Sequence, residues 1–239
     1  MSVSTPGPIV AVAAHPDDIE FGCGGIVARE TARGRRVIMV VCSQGEAGTN
    51  GTPNERQAEA RNAAAALGAE IEFLEFDGDA HLEVRAAHAI RFAEVLRRLK
   101  PETVLAPTLE HNQHPDHWRV GQIALDAVRL ARFGGLRELL SQPAHRIGRL
   151  FFYAVDAEAE STTLPMVAID ISLPTTIRAW TAAMNAHVTQ MRTRNYAELQ
   201  LVRARALGAR IGVEYAQALY PNDPLVFDSI EAIGRGRHG

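Results

Sequence analysis

The sequence predicts an α/β fold in which a mainly parallel sheet is flanked by helices, and three observations carry that expectation. Runs of small and β-branched residues such as Ile9–Ala14 read as strands buried on both faces. Helix-patterned stretches alternate with them and stop at glycines such as Gly34 and Gly68. A repeated strand–helix order demands right-handed crossovers, so the strand ends share one rim.

In chain order, a strand over residues 8–14 leads into a helix over 23–33. Residues 36–42 form the second strand, followed by a glycine-rich loop from Gln44 to Pro53 and an alanine-rich helix over 54–67. A strand over 71–76, a helix over 84–99, a strand over 103–107 and a helix over 118–133 complete the regular half. The second half is less periodic. Leu150–Tyr153 and Met166–Ile169 read as strands, and Thr175 to about Leu207 as a long helical region interrupted near Asn195. The tail from Gly234 to Gly239 is expected to fray. With no internal repeat, low-complexity linker or composition break, one domain over residues 1–239 is expected.

Of the 239 residues, 46% are hydrophobic and 22% charged, which excludes a long disordered or coiled-coil architecture. A net charge of −3 supplies no basic field to recruit nucleic acid or acidic membranes. Met1–Pro8 lacks the basic and apolar regions of a signal peptide, and no apolar run approaches the ~20 residues needed to span a bilayer, so no membrane insertion is expected. Cys23 and Cys42 stand alone without C-x-x-C spacing, so a cytoplasmic setting is expected.

The chemistry concentrates in two clusters. His15-Pro16-Asp17-Asp18 directly follows the first strand, and His111-Asn112-Gln113-His114-Pro115-Asp116-His117 follows the strand over 103–107. Ligands of open α/β sheets bind in the crevice beyond the carboxyl ends of the strands. Three ionisable groups in four residues are costly there unless a partner such as a divalent cation balances them. One His and one Asp from the first cluster plus one His from the second give three protein ligands and an open position, the pattern of a catalytic zinc. His15 and Asp18, three apart, can share one face. From spacing alone, either His114 or His117 can supply the third ligand. The competing reading makes Asp17 or Asp18 a helix cap, which explains one carboxylate and neither distant histidine.

These motifs resemble the LmbE-like or PIG-L-like deacetylases, which remove acetyl groups from N-acetylglucosaminyl conjugates. The resemblance rests on His15-Pro16-Asp17-Asp18 running into Glu20 and Gly22-Cys23-Gly24-Gly25, on Gln44-Gly45-Glu46-Ala47-Gly48-Thr49, and on Arg56, Glu59 and Leu67-Gly68. Asp77-Gly78, His114-Pro115-Asp116-His117, Ala186-His187-Val188-Thr189-Gln190 and Gly212-Val213-Glu214-Tyr215-Ala216 extend it. The opening D-D-I-E, with Ile19 before the acid, is similar to the bacterial branch of bacillithiol- and mycothiol-pathway deacetylases. Ile26 stands where that pattern often has Thr, and Thr189 where Ser is usual.

The resemblance implies a Rossmann-like three-layer domain, with His15, Asp18 and His117 as zinc ligands, a set that also suits iron(II) or another divalent metal. It implies Asp17 as general base and His114 as the acid that stabilises the oxyanion or protonates the leaving amine. It implies Arg56 and Asp77 as contacts to a small amino-sugar conjugate, with Asp79 competing with Asp77. Oligomerisation is common in the family, so the resemblance allows a homo-oligomer. His111 reads as a solvated loop residue. Asp116 either holds an imidazole tautomer or caps the following helix. His187 reads equally as a structural or a site histidine, and Glu46 and Gly48 as shaping their loop. Two rivals are a related deacylase acting on another amide in a natural-product pathway and a nucleotide binder. The spacing Gly22-Cys23-Gly24-Gly25 does not fit the dinucleotide fingerprint.

Overall fold

Seven strands and six α-helices are arranged in three layers in the computed structural model, which describes residues 6–111 and 114–230. The elements are β1 (Ile9–Ala13), α1 (Asp18–Ala32), β2 (Val37–Val41), α2 (Pro53–Leu67), β3 (Glu70–Phe73), α3 (Ala86–Leu99), β4 (Thr103–Pro107) and α4 (Pro115–Ala131). They continue with β5 (Arg149–Tyr153), β6 (Val167–Asp170), α5 (Pro174–Ala186), α6 (Tyr196–Ile211) and β7 (Ala216–Pro221). The sheet order is β3-β2-β1-β4-β5-β7-β6. The first five strands pair in parallel, and β7 runs antiparallel to both β5 and β6. The chain winds from β1 toward β3 in one direction and from β4 outward in the other. The gap beyond the ends of β1 and β4 is therefore the switch point where such sheets bind ligands.

Alternation along β1 separates the two cores. Val10, Val12 and Ala14 pack with Phe92 and Leu96 of α3 and Val120 and Ile123 of α4. Ile9, Ala11 and Ala13 pack on the other face with Ile19 of α1, Leu67 of α2 and Trp180 and Met184 of α5. Burial on both faces is why β1, β2 and β4 are continuously apolar.

The structure departs from the sequence reading chiefly in three places. Helix α1 begins at Asp18, five residues before the expected start, and kinks at Cys23 (φ −141°, ψ 17°). Its glycines mask it, since glycine disfavours helix. They are there for close approach: a Cβ on Gly24 would lie 2.7 Å from the Trp180 ring. Helix α4 starts at Pro115, which tolerates the first helical position because its missing N–H has no helical partner. Strand β7 has no counterpart in the sequence reading. The interruption expected near Asn195 is present: α5 ends at Ala186, and Asn195 caps α6 through its bond from the Glu198 amide. The fraying expected of residues 234–239, and part of the reading of Met1–Pro8, concern segments outside the described residues.

Arg97 of α3 is buried and organises the irregular chain after α4. Its guanidinium donates to the carbonyls of Ala131, Phe133, Leu139 and Gln142 at 2.6–3.0 Å. No helix among the described residues is long and apolar enough to cross a membrane.

Candidate metal centre

The end of β1 and the start of α1 fold back on each other around Asp18. Its Oδ2 accepts from the backbone amides of Ala14 (3.0 Å) and His15 (2.9 Å). Asp18 is thus turned toward the strand end and does not cap α1. Asp17 occupies the cap position at φ 144° but makes no capping bond, so the capping reading fails for both carboxylates.

His15 Nδ1 lies 3.5 Å from Asp18 Oδ2, and His117 Nε2, from the first turns of α4, lies 3.1 Å from Asp18 Oδ1. One donor atom from each of His15, Asp18 and His117 falls within 4.8 Å of the others, and all three residues are buried. On its other side, His15 Nε2 is 3.0 Å from Asp79 Oδ1 and 3.4 Å from Asp116 Oδ2. Asp116 is itself held by the Ala80 amide (2.7 Å) and Arg119 Nη1 (3.1 Å). A carboxylate on the outward nitrogen fixes ring orientation and tautomer in metal-binding histidines.

The electrostatics ask for positive charge. Burial opposes a charged His15, yet Asp18, Asp116 and Asp79 outweigh it and raise its pKa well above the ordinary value. Burial likewise opposes ionisation of Asp18, but His117 and His15 hold it well below the usual carboxylate range. Two imidazoles and a carboxylate converging in a buried place fit a divalent cation, which would supply the positive charge that the surrounding carboxylates favour. Cys23 and Cys42 are buried free thiols outside this cluster.

Asp17 stands beside the three donors and faces the cavity. Burial pushes its pKa up to about 6 against the opposing pull of Arg56, whose Nη2 is 3.3 Å from Asp17 Oδ2. Arg56 also donates to the carbonyls of Gly45 (2.8 Å) and Pro16 (3.3 Å), so its fork is engaged by the site itself. Gly45 (φ 69°) and Gly48 make room for it, since a Cβ on either would lie within 2.7 Å of Arg56 Nη1. His114, half-buried, accepts from the Asp116 amide through Nδ1 (3.3 Å), which leaves the proton of the neutral ring on Nε2. Burial, then the nearby His15 charge, lowers its pKa.

These groups line one side of a cavity of about 440 Å³. Phe21, Val155 and Tyr196 form an apolar wall, and Ala47–Thr49 and Gln190 contribute the rest. Phe21 stands three residues past Asp18, a spacing that could have revealed it. Nothing in the sequence pattern marks Val155 or Tyr196 as cavity residues.

Asp77 is not brought to this cavity. It pairs with Arg85 (3.1 Å), lies 3.5 Å from His88 and accepts the Glu83 amide (3.2 Å). Asp79 lines the cavity in its place, because its carboxylate is aimed inward at His15 while Asp77 points toward the start of α3. His111 is exposed and stacks on Trp118 (4.1 Å between centroids). Glu46 stays in its loop, accepting the amides of Gln44 and Asp79. His187 is buried 3.0 Å from Glu20. Thr189 keeps the hydroxyl function of serine, donating its Oγ to Glu59 (2.7 Å).

The model of a family described as PIG-L, GlcNAc-PI de-N-acetylase, matches residues 10–128. An uncharacterized deacetylase of Escherichia coli, YaiS, is 34% identical over 127 residues, covering 51% of this chain and 68% of that protein. A diacetylchitobiose deacetylase of Thermococcus kodakarensis is 30% identical over 52% of this chain and 49% of its own length. A 4-oxalmesaconate hydratase of Pseudomonas putida is 29% identical over 54% of each. The chain therefore spans about half the length of these last two relatives. The crystal structure of a conserved protein from Thermus thermophilus superposes with a TM-score of 0.81 at 32% identity, covering 92% of this chain and 96% of that one.

Proposed function

The chain belongs to the PIG-L family, and from that premise we propose that it is a zinc-dependent hydrolase removing the acetyl group from an N-acetylglucosaminyl-type conjugate. The observation that carries this reading is the convergence of His15, Asp18 and His117 on one point with the Asp17 carboxylate beside it.

His15, Asp18 and His117 would hold the cation, and the donor set suits zinc while also accommodating iron(II). When bound, the metal lowers the pKa of water and polarises the amide carbonyl. Asp17 takes the proton from the attacking water, and Arg56 keeps its carboxylate in place. His114, which lines the cavity, donates its Nε2–H to the developing oxyanion, and the leaving amine takes the proton that Asp17 accepted from water. Asp79 orients His15 and accepts from sugar hydroxyls at the cavity edge, and the Phe21–Tyr196 wall receives the apolar part of the conjugate. The chain acts as one catalytic unit on a small molecule in the cytoplasm, a setting supported by its buried free thiols.

The test is acetate release from N-acetylglucosaminyl conjugates by metal-loaded protein, with hydration of 4-oxalmesaconate assayed in parallel because one relative is a hydratase. Turnover of the oxoacid with no acetate from any amide would replace the deacetylase reading.

A further inference from the structure

We propose that His187, with Glu20, is a positioning residue for Asp17, clamping the first turn of α1 in the conformation the reaction needs. This rests on Asp17 acting as the base. The starting observation is the Asp17 backbone at φ 144°, a region that residues with side chains rarely adopt. Such conformations persist where the surroundings over-determine them, and they gather at functional sites.

Two elements meet at Asp17, and the segment containing His187 grips both. Glu20 lies one turn along α1 from Asp17 and is 1% exposed; His187 is fully buried with its Nε2 3.0 Å from Glu20 Oε1. Trp180 of α5 donates its indole N–H to the Glu20 carbonyl at 2.7 Å. Two residues after His187, the Thr189 amide and hydroxyl donate to the two carboxylate oxygens of Glu59 at 2.8 and 2.7 Å. Glu59 stands one turn beyond Arg56 on α2, and Arg56 holds Asp17. One short segment thus ties the α1 turn bearing Asp17 to the α2 turn bearing its arginine.

The chemistry of the pair argues against a purely stabilising role. Glu20 Oε1 and both ring nitrogens of His187 are buried without an aligned hydrogen-bond partner. Burying ionisable groups this way costs desolvation, and apolar residues of similar size would pack as stably. What an apolar pair would lack is the close polar contact of His187 Nε2 with Glu20 Oε1, 3.0 Å apart, that holds Glu20 against the turn.

The experiment compares His187→Gln and Glu20→Gln with wild type for kcat, KM, bound metal and melting temperature. The expected result is a kcat loss of about tenfold or more with KM within about twofold and metal content unchanged. Added to Asp17→Asn, His187→Gln is expected to cost nothing further, because the two act through one group. Unchanged kcat with a lowered melting temperature, or full additivity with Asp17→Asn, would overturn the proposal. If His187→Gln does not fold, Glu20→Gln carries the same test. If wild type releases no acetate, the functional reading has failed separately. The clamp is then read from amide hydrogen exchange of residues 18–21: faster exchange in Glu20→Gln supports it, and unchanged exchange overturns it.

Discussion

Asp79 Oδ1 lies 3.0 Å from His15 Nε2, on the side of the ring opposite Asp18. One imidazole is therefore held between Asp18 on one side and Asp79 and Asp116 on the other. Partners of this outer kind cost about 10–100-fold in metal affinity or activity when removed. Asp79→Asn is expected to lose activity in that range, measured as acetate release at fixed zinc. Asp77→Asn, whose partners are Arg85 and His88, is expected to leave kcat/KM near wild type. The reverse ranking would restore Asp77 as the cavity residue.

Asp17 and Asp18 are neighbours to which the proposed function gives separate tasks. Asp17→Asn should retain metal at wild-type stoichiometry while kcat falls about 10²–10⁴-fold, the usual span of a lost general base. Asp18→Asn should lose the metal as well. Metal content by elemental analysis beside turnover separates the two, and full activity in Asp17→Asn would remove it from the mechanism.

The buried His187 makes stability depend on pH. Burial opposes its charge, but Glu20, Asp17 and Glu59 prevail and raise its pKa above the ordinary 6.5. A group whose folded pKa is raised contributes stability that is complete below its unfolded pKa and disappears as pH rises through the folded one. The stability gap between wild type and His187→Gln is thus expected to be widest below about pH 6.5 and to narrow at alkaline pH. Thermal unfolding of both proteins across pH checks this; a gap that widens with pH would reverse the assignment.

Arg97 offers a stability test remote from the chemistry. Arg97→Met would remove four hydrogen bonds from a charged donor, although the carbonyls of Ala131, Phe133 and Leu139 each keep a backbone amide donor. A hydrogen bond to a charged group contributes about 1.5–3 kcal/mol, so the loss of this set is expected to cost about 3 kcal/mol or more. For a chain of this size that is a fall of roughly 6–12 °C in melting temperature. Activity at 25 °C should be little changed.

Much of this architecture was legible because the signals were local. The apolar runs of β1, β2 and β4 announce a doubly covered sheet, and Gly68 ends α2 in the left-handed conformation its position suggested. The convergence of His15, Asp18 and His117 was legible because residue type and motif coincide there. What escaped depended on tertiary contact. The α1 start is masked by glycines whose reason is a tryptophan more than 150 residues away. The choice between Asp77 and Asp79 turns on which way two neighbouring carboxylates point, and no spacing rule encodes that. Strand β7 has only a weak alternating pattern and owes its place to pairing with β5 and β6.

The cavity is assembled from two stretches of unequal duty. Every residue assigned to cation, proton or amide chemistry lies between His15 and His117, at the mouth of β1 and β4. Val155, Gln190 and Tyr196 reach it from the remainder of the chain, beyond the stretch matched by the family model. Under the proposed function, substitutions at Val155 and Tyr196 are expected to alter which substrate is admitted while the residues between His15 and His117 stay in place. Engineering of substrate choice should begin there.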